Sequence, residues 1–407
     1  MSFIRGVCKL SKNIRYTGST HSILNKSGVV GTTTTTISTS KFNKTTINNN
    51  NKITYRNYGT ENTTTATIGK ETEEIKTAEI PYQFLSLTTE QWELALGKEL
   101  SKNTQDFFDL VKKGRTTLLR KPAFQTIQWL SRMKDQSFYK ESPKDYCLVL
   151  DGVGGAGKSV ALAQAAFWAQ QQNWLVVYIP NAHSFINNGS LSHFDINPLL
   201  FAQNSLTFNF IKQFVEINHA KLKQIKLKTK FKINLTGWES STDKTLYDLL
   251  SSAKFDTASD IFYHFKRELN AVHEFPVLVA IDSYNYFHRP SEYGDMYDPS
   301  SNLGSLPTER LLAASLFKDI LSHQISNGVV VASTTDVVPK REMYKVIPEE
   351  NILNVPTFSI YELKLLINFL VESEYLEKSP SQESIEYFWQ LASGNPRELW
   401  KLLRILH

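Results

Sequence analysis

The sequence predicts an α/β fold built on a parallel sheet, and three observations predict it. Four runs are apolar at nearly every position: 146–150, 174–179 (Trp-Leu-Val-Val-Tyr-Ile), 277–281 (Val-Leu-Val-Ala-Ile) and 328–332 (Gly-Val-Val-Val-Ala). Strands without polar alternation belong to a parallel sheet covered by helices on both faces. Helical segments near 205–227, 257–272 and 308–325 supply the crossovers that parallel pairing needs. Between the first strand and the helix-forming run Val160-Ala-Leu-Ala-Gln lies Gly152-Val-Gly-Gly-Ala-Gly-Lys-Ser159.

That strand, glycine loop and helix, in that order, form a complete Walker A loop, so the fold is expected to be a P-loop NTPase of the AAA+/STAND-like kind. Gly152, Gly154, Gly155 and Gly157 are expected to take positive φ and turn their N–H groups inward. The helix N-terminus after them favours bound phosphate. Lys158 would reach the β and γ oxygens and Ser159 would ligate Mg²⁺. Val153, Ala156 and Val160 complete the predicted nucleotide-binding stretch.

Asp282 ends the apolar run 277–281, which is the Walker B form, and is expected to hold Mg²⁺ with Ser159. Ser283 follows, where hydrolytic relatives usually carry a water-activating Glu, so turnover is expected to be slow or absent. Ser333, Thr334 and Thr335 follow the strand 328–332 and stand where a γ-phosphate sensor would be. Gly394-Asn-Pro-Arg397 lies between two C-terminal helices and is similar to a sensor-2 turn, which makes Arg397 a candidate nucleotide contact. As local chemistry it is equally a glycine cap followed by a helix start. Guanine readout of the small-GTPase kind, Asn-Lys-x-Asp, is missing, and these residues leave the base open between guanine and adenine.

The flanks divide the chain. Residues 1–60 hold nine basic side chains and no acidic one, with threonine and asparagine homopolymer runs. Phe3, Ile4, Val7 and Leu10, interleaved with Arg5, Lys9 and Lys12, predict a short basic amphipathic helix. The segment 1–58 is therefore expected to be a mitochondrial transit peptide, cut near Tyr58, and the mature protein to lie in the matrix. Without residues 1–60 the net charge of +5 becomes negative, so whole-molecule attraction to nucleic acid is not indicated. Residues 59–80 read as a polar linker and 81–140 as a helical extension, with Trp92, Leu94, Leu96 and Leu100 on one helix and Ile127 and Leu130 on another. Residues 141–340 form the expected nucleotide-binding domain, and 341–407 a helical lid with helices at 360–371, 381–393 and 396–406. Cys147 sits in a strand and Cys8 in the presequence, which leaves no disulfide or cysteine metal site in the mature chain. No run approaches the roughly 18 apolar residues of a membrane span. Two basic clusters, Lys212–Lys232 and Lys112 to Lys121 with Arg115 and Arg120, are candidates either for solvated faces or for contact with an RNA backbone.

Several strings together resemble one family, the mitochondrial small-subunit ribosomal GTP-binding proteins also called the death-associated protein three family. They are Leu118-Leu-Arg-Lys-Pro-Ala, Asn173-Trp-Leu-Val-Val-Tyr-Ile-Pro-Asn-Ala-His, Leu278-Val-Ala-Ile-Asp-Ser-Tyr-Asn and Gly394-Asn-Pro. The resemblance runs from about residue 81 to 407. It implies a component of the small-subunit head, in contact with small-subunit ribosomal proteins and rRNA and facing the large subunit across an intersubunit bridge. It also implies GTP or GDP, with ATP the alternative, bound with Mg²⁺ mainly for stability and assembly. The competing expectation is a mitochondrial STAND/AAA-like NTPase switch.

Overall fold

The computed structural model describes residues 54–60, 81–98, 115–135, 146–294, 305–318, 320–321, 325–345 and 347–404. Residues 55–407 form one compact unit. The expected presequence and linker fall outside the described residues, apart from a strand at Thr54–Thr60 that straddles the expected cleavage point.

At the centre is a parallel sheet of β1 (Cys147–Asp151), β2 (Leu175–Ile179), β3 (Val277–Ile281), β4 (Gly328–Ser333) and β5 (Ile352–Asn354). Its order is β5-β1-β4-β3-β2, with every neighbouring pair parallel. All residues of β2, β3 and β4 are buried, so both sheet faces are covered, as their uniform apolarity requires. β5 falls in the segment 341–407, expected to be a mostly helical lid, ahead of its first expected helix. It is a three-residue, half-exposed edge strand, too short to leave an apolar run in the sequence.

Around the sheet lie α1 (Lys121–Asp135), α2 (Lys158–Gln171), α3 (Asn204–Leu222), α4 (Ala258–Asn270) and α5 (Leu312–Lys318). α2 is buried on all sides from Ala161 to Ala169, because it packs on β2, β3 and β4 as well as on α1. A helix buried all round shows no polar stripe, which explains its alanine-rich sequence. α3 ends at Leu222 and α5 at Lys318, both shorter than expected. β2 is the sheet's outer strand on that side. There Asn218 of α3 accepts from Val176 N–H at 3.1 Å and donates to Val176 C=O at 2.9 Å.

The expected helical extension is mixed. Pro81–Leu87 and Arg115–Leu119 form an antiparallel pair, with a helix Thr89–Leu96 between them whose N-cap is Thr88. Tyr82 and Phe84 recur with strand period 2 on the face that joins the C-terminal core, where Phe84 stacks on Phe369 at 4.2 Å. Trp92, Leu96, Ile127 and Leu130 are buried as expected, whereas Leu94 is 63% exposed. The C-terminal helices are α6 (Ile360–Glu372), α7 (Gln382–Leu391) and α8 (Pro396–Leu403). They share one apolar cluster with Tyr82, Phe84 and Leu118, so this segment is fastened to the N-terminal strands.

Candidate functional site

β1 delivers the chain into the glycine loop, and three of its four glycines take positive φ: Gly152 (146°), Gly155 (85°) and Gly157 (100°). Gly154 does not, contrary to expectation. Its lack of a side chain serves close approach instead, since a Cβ there would lie 3.3 Å from Asp336 Oδ2. Gly155 is needed on both grounds: a Cβ would meet Asn395 Oδ1 at 2.5 Å, and φ is left-handed.

The loop borders a cavity of about 710 Å³. Of the predicted nucleotide residues, Gly154, Gly155, Gly157, Lys158, Ser159, Val160 and Arg397 line it. Gly152, Val153 and Ala156 do not line it. Val153 is 53% exposed and Ala156 fully buried. The Lys158 ammonium donates to the Gly152 and Val153 carbonyls. Burial pushes its pKa down, against the pull of the Asp336, Asp151 and Asp282 carboxylates. A nucleotide phosphate would relieve that penalty by supplying the charge partner.

Asp282, at the end of β3, is almost fully buried. Burial pushes its carboxyl pKa up, although Ser333, Ser159 and the Ser283 amide all donate to it. Ser333 Oγ donates to Asp282 Oδ1 and accepts from Ser283 N–H at 3.2 Å. This pair of Ser159 hydroxyl and buried carboxylate fits Mg²⁺, which takes few protein ligands and keeps phosphate and water oxygens for the rest. No cluster of three or more His, Cys, Asp or Glu that could hold a metal occurs among the described residues.

Sequence reasoning missed the groups that hold the loop. Asp151, the last residue of β1, accepts from Lys340 Nζ at 2.7 Å, Thr334 Oγ1 at 2.5 Å and the Tyr344 hydroxyl. Burial raises its pKa, but Lys340, Thr334, Tyr344 and the Gly152 amide outweigh that and hold it at about 2. Lys340 also pairs with Asp336 at 2.6 Å. Asn285, four positions after Ile281, accepts from Thr335 N–H at 2.9 Å and donates to the Thr335 and Val338 carbonyls, both at 2.8 Å. It fixes the loop after β4. The spacing of Asp336 and Lys340, four apart, was the available signal for an ion pair.

Arg120 was expected in a surface cluster and is instead buried at the centre of the assembly. Its guanidinium bonds Glu362 twice (2.7 and 3.2 Å), the Ala156 carbonyl (2.7 Å) and the Pro356 and Thr357 carbonyls (2.9 and 3.1 Å). It also lies 4.6 Å over the Phe358 ring. Arg115 is likewise buried, so neither residue offers RNA a surface. From the other end, Asn395 donates to Gly154 C=O at 2.7 Å and caps α8 by accepting from Arg397 N–H at 3.0 Å. The Gly-Asn-Pro turn thus meets the loop through its asparagine, while the exposed Arg397 side chain faces the cavity.

Asn181, His183 and Tyr286 also line the cavity. His183 Nε2 lies 2.6 Å from Glu292 Oε1 and its ring 4.4 Å from Tyr286. The basic stretch Lys212–Lys232 is helix α3 as far as Leu222 and then mostly irregular chain, with a strand only at Lys232–Ile233. Lys228 pairs with Glu274 and Lys232 with Glu239, Lys226 donates to the Asp243 carbonyl, and Lys221 is buried. Among the described residues no helix is long and apolar enough to cross a membrane.

Comparison with known proteins places this geometry. The family described as mitochondrial ribosomal death-associated protein 3 matches residues 117–347. The chain is 27% identical over 372 residues to small ribosomal subunit protein mS29 of Schizosaccharomyces pombe, covering 81% of this chain and 74% of that protein. It is 24% identical over 311 residues to the protein of the same name in Mus musculus, covering 70% of this chain and 75% of the relative. Among solved structures, the Walker-type ATPase PABY2304 of Pyrococcus abyssi aligns with a TM-score of 0.38 at 13% identity, covering 68% of this chain and 64% of that one. The family match begins in the strand that leads to Arg120 and ends just beyond Tyr344, so it takes in the glycine loop, Asp282 and Asp336 and more than half of the sequence: the chain belongs to the mitochondrial ribosomal death-associated protein 3 family.

Proposed function

We propose that this protein is a structural constituent of the mitochondrial small ribosomal subunit, and that a purine nucleotide held with Mg²⁺ at its P-loop stabilises the fold rather than being consumed. The ribosomal role rests on family membership and on relatives whose name is small ribosomal subunit protein mS29. GTP or GDP is the ligand the family resemblance favours, with ATP the alternative. Contacts with rRNA, neighbouring proteins of the small-subunit head and the large subunit across a bridge belong to the same proposal, as does residence in the matrix.

The observation that carries the nucleotide is the convergence of Lys158, Ser159 and Asp282 on one cavity at the ends of β1 and β3. Lys158 would neutralise β and γ oxygens, and Ser159 with Asp282 would hold Mg²⁺. When bound, the ion would screen charge between phosphates. Hydrolysis needs a group that orients water, and Ser283, in left-handed conformation with its N–H on Ser333, supplies no carboxylate. The loop is also tied to the C-terminal segment through both Arg120 and Asn395. A ligand filling such a clamped site would stabilise the native state by about 4 kcal/mol at a thousandfold excess over its dissociation constant.

The test is nucleotide content of small subunits purified with wild-type or Lys158→Ala protein, alongside sedimentation of mitochondrial lysate. Wild-type protein is expected to co-migrate with the small subunit and carry nucleotide, and Lys158→Ala to lose it. Undiminished nucleotide in Lys158→Ala would put the site elsewhere. A free, self-assembled pool would favour the NTPase switch.

A further inference from the structure

We propose that Asp336 makes this site discriminate against a third phosphate, so that the ligand class it favours is a Mg²⁺-bound purine nucleoside diphosphate; the inference rests on the P-loop reading above. Asp336 sits three residues past the end of β4 and lines the cavity with Lys158 and Gly154. Its Oδ2 comes within 3.3 Å of where a Gly154 Cβ would be. The Gly154 N–H donates to it, and the Lys158 charge faces it. Loop amides and this lysine are the groups a P-loop offers to β and γ oxygens. The protein therefore already presents a carboxylate to part of the cradle that a terminal phosphate would use.

The carboxylate is held there. Asn285 fixes the backbone on both sides of it, at Thr335 and Val338. Lys340 grips Asp336 Oδ1 at 2.6 Å while it is also committed to Asp151 at 2.7 Å. A γ-phosphate would bring more negative charge against Asp336, with its nearest neutralising cation already shared between two acids. Like charges forced together in a partly desolvated site are strongly penalised. A diphosphate avoids the clash and still engages Lys158 and the amides from Gly155 to Ser159.

The test is calorimetric titration of the purified full-length chain with MgGDP and MgGMPPNP, then MgADP and MgAMPPNP. In wild type the diphosphate of the preferred base is expected to bind at least about tenfold tighter than its triphosphate analogue. Asp336→Asn keeps an acceptor for the Gly154 N–H but removes the charge, and is expected to narrow the ratio to within about threefold. Asp336→Ala serves as a second variant, and the wild-type ratio decides the matter if neither variant folds. Equal or tighter triphosphate binding by wild type overturns the proposal, as does an unchanged ratio in Asp336→Asn. Failure of wild type to bind any of the four probes overturns the P-loop reading beneath it as well.

Discussion

Arg120 and Glu362 are 242 positions apart and meet in a buried, two-pronged ion pair, with Nε 2.7 Å from Oε1. The same guanidinium holds the Ala156 carbonyl of the P-loop. The same carboxylate accepts from Ser359 N–H at the start of α6. One pair therefore sets the loop, the approach to α6 and the N-terminal strand against each other.

Arg120→Met removes the cation and leaves Glu362, whose side chain is 7% exposed, buried and unpaired. Breaking a buried pair in this way costs about 3–5 kcal/mol. Arg120→Lys is expected to recover little, because a single ammonium cannot replace the planar fork that reaches five acceptors. Urea unfolding measures both variants. A loss below about 1 kcal/mol for Arg120→Met, the range of exposed pairs, would show that the pair is not structural.

Hydrolysis is expected to be slow. With Mg²⁺ and phosphate ligands present but no carboxylate after Asp282, single-turnover GTP hydrolysis by the purified chain is predicted at or below about 10⁻² per second. Ser283→Glu is expected to accelerate it only where a water is suitably held. A rate on the order of ten per second, abolished by Lys158→Ala, would move the protein into the class of NTPase switches.

Acid sensitivity is expected to centre on Asp151. Its folded pKa, about 2, lies below the ordinary aspartate value. The depressed value means that stability is fully present above about pH 4 and is lost as pH falls toward 2. The contribution is about 1–2 kcal/mol once the partial exposure of the carboxylate is allowed for. Asp151→Asn is predicted to flatten the decline in urea midpoint between about pH 4 and pH 2. An unchanged slope would show that Lys340, Thr334 and Tyr344 do not hold the carboxylate in solution.

Import is expected to remove the acid-free segment. N-terminal sequencing of endogenous protein is predicted to read a start near Gly59 or a few residues on. An intact N-terminus in a cytosolic pool would contradict the transit-peptide assignment.

The parts of this structure that sequence exposed are those with strong local physics. β1 to β4 were legible because a doubly covered strand must be apolar throughout, and the Walker A loop because φ and close approach demand glycine at fixed spacing. Ser159 and Asp282 followed from their places at the ends of elements. The clamp was not legible. Arg120 and Glu362 carry no pattern linking them over such a separation, and an arginine followed by Lys121 in a basic cluster reads as a solvated face. Asn395 lies within the Gly-Asn-Pro string, but a charged side chain is the stronger sequence signal for a nucleotide contact and points to Arg397 rather than to the amide that bonds Gly154. The N-terminal strands were hidden for another reason: Phe84, Leu85 and Leu87 are bunched, and it is the distant partners Arg115–Leu119 and Thr54–Thr60 that select strand over helix.

Asn218 has a consequence for how this protein can associate. An open sheet invites a foreign strand at its margins, and here the invitation is withdrawn on one side by an amide that answers Val176 in both directions, as another polypeptide would. At the opposite margin β5 offers three residues before Pro356 follows, too little to template a ladder. Recognition at the central sheet is therefore left to side chains, helices and connecting loops, which lets a protein built for a crowded particle meet its surroundings there without polymerising on that sheet.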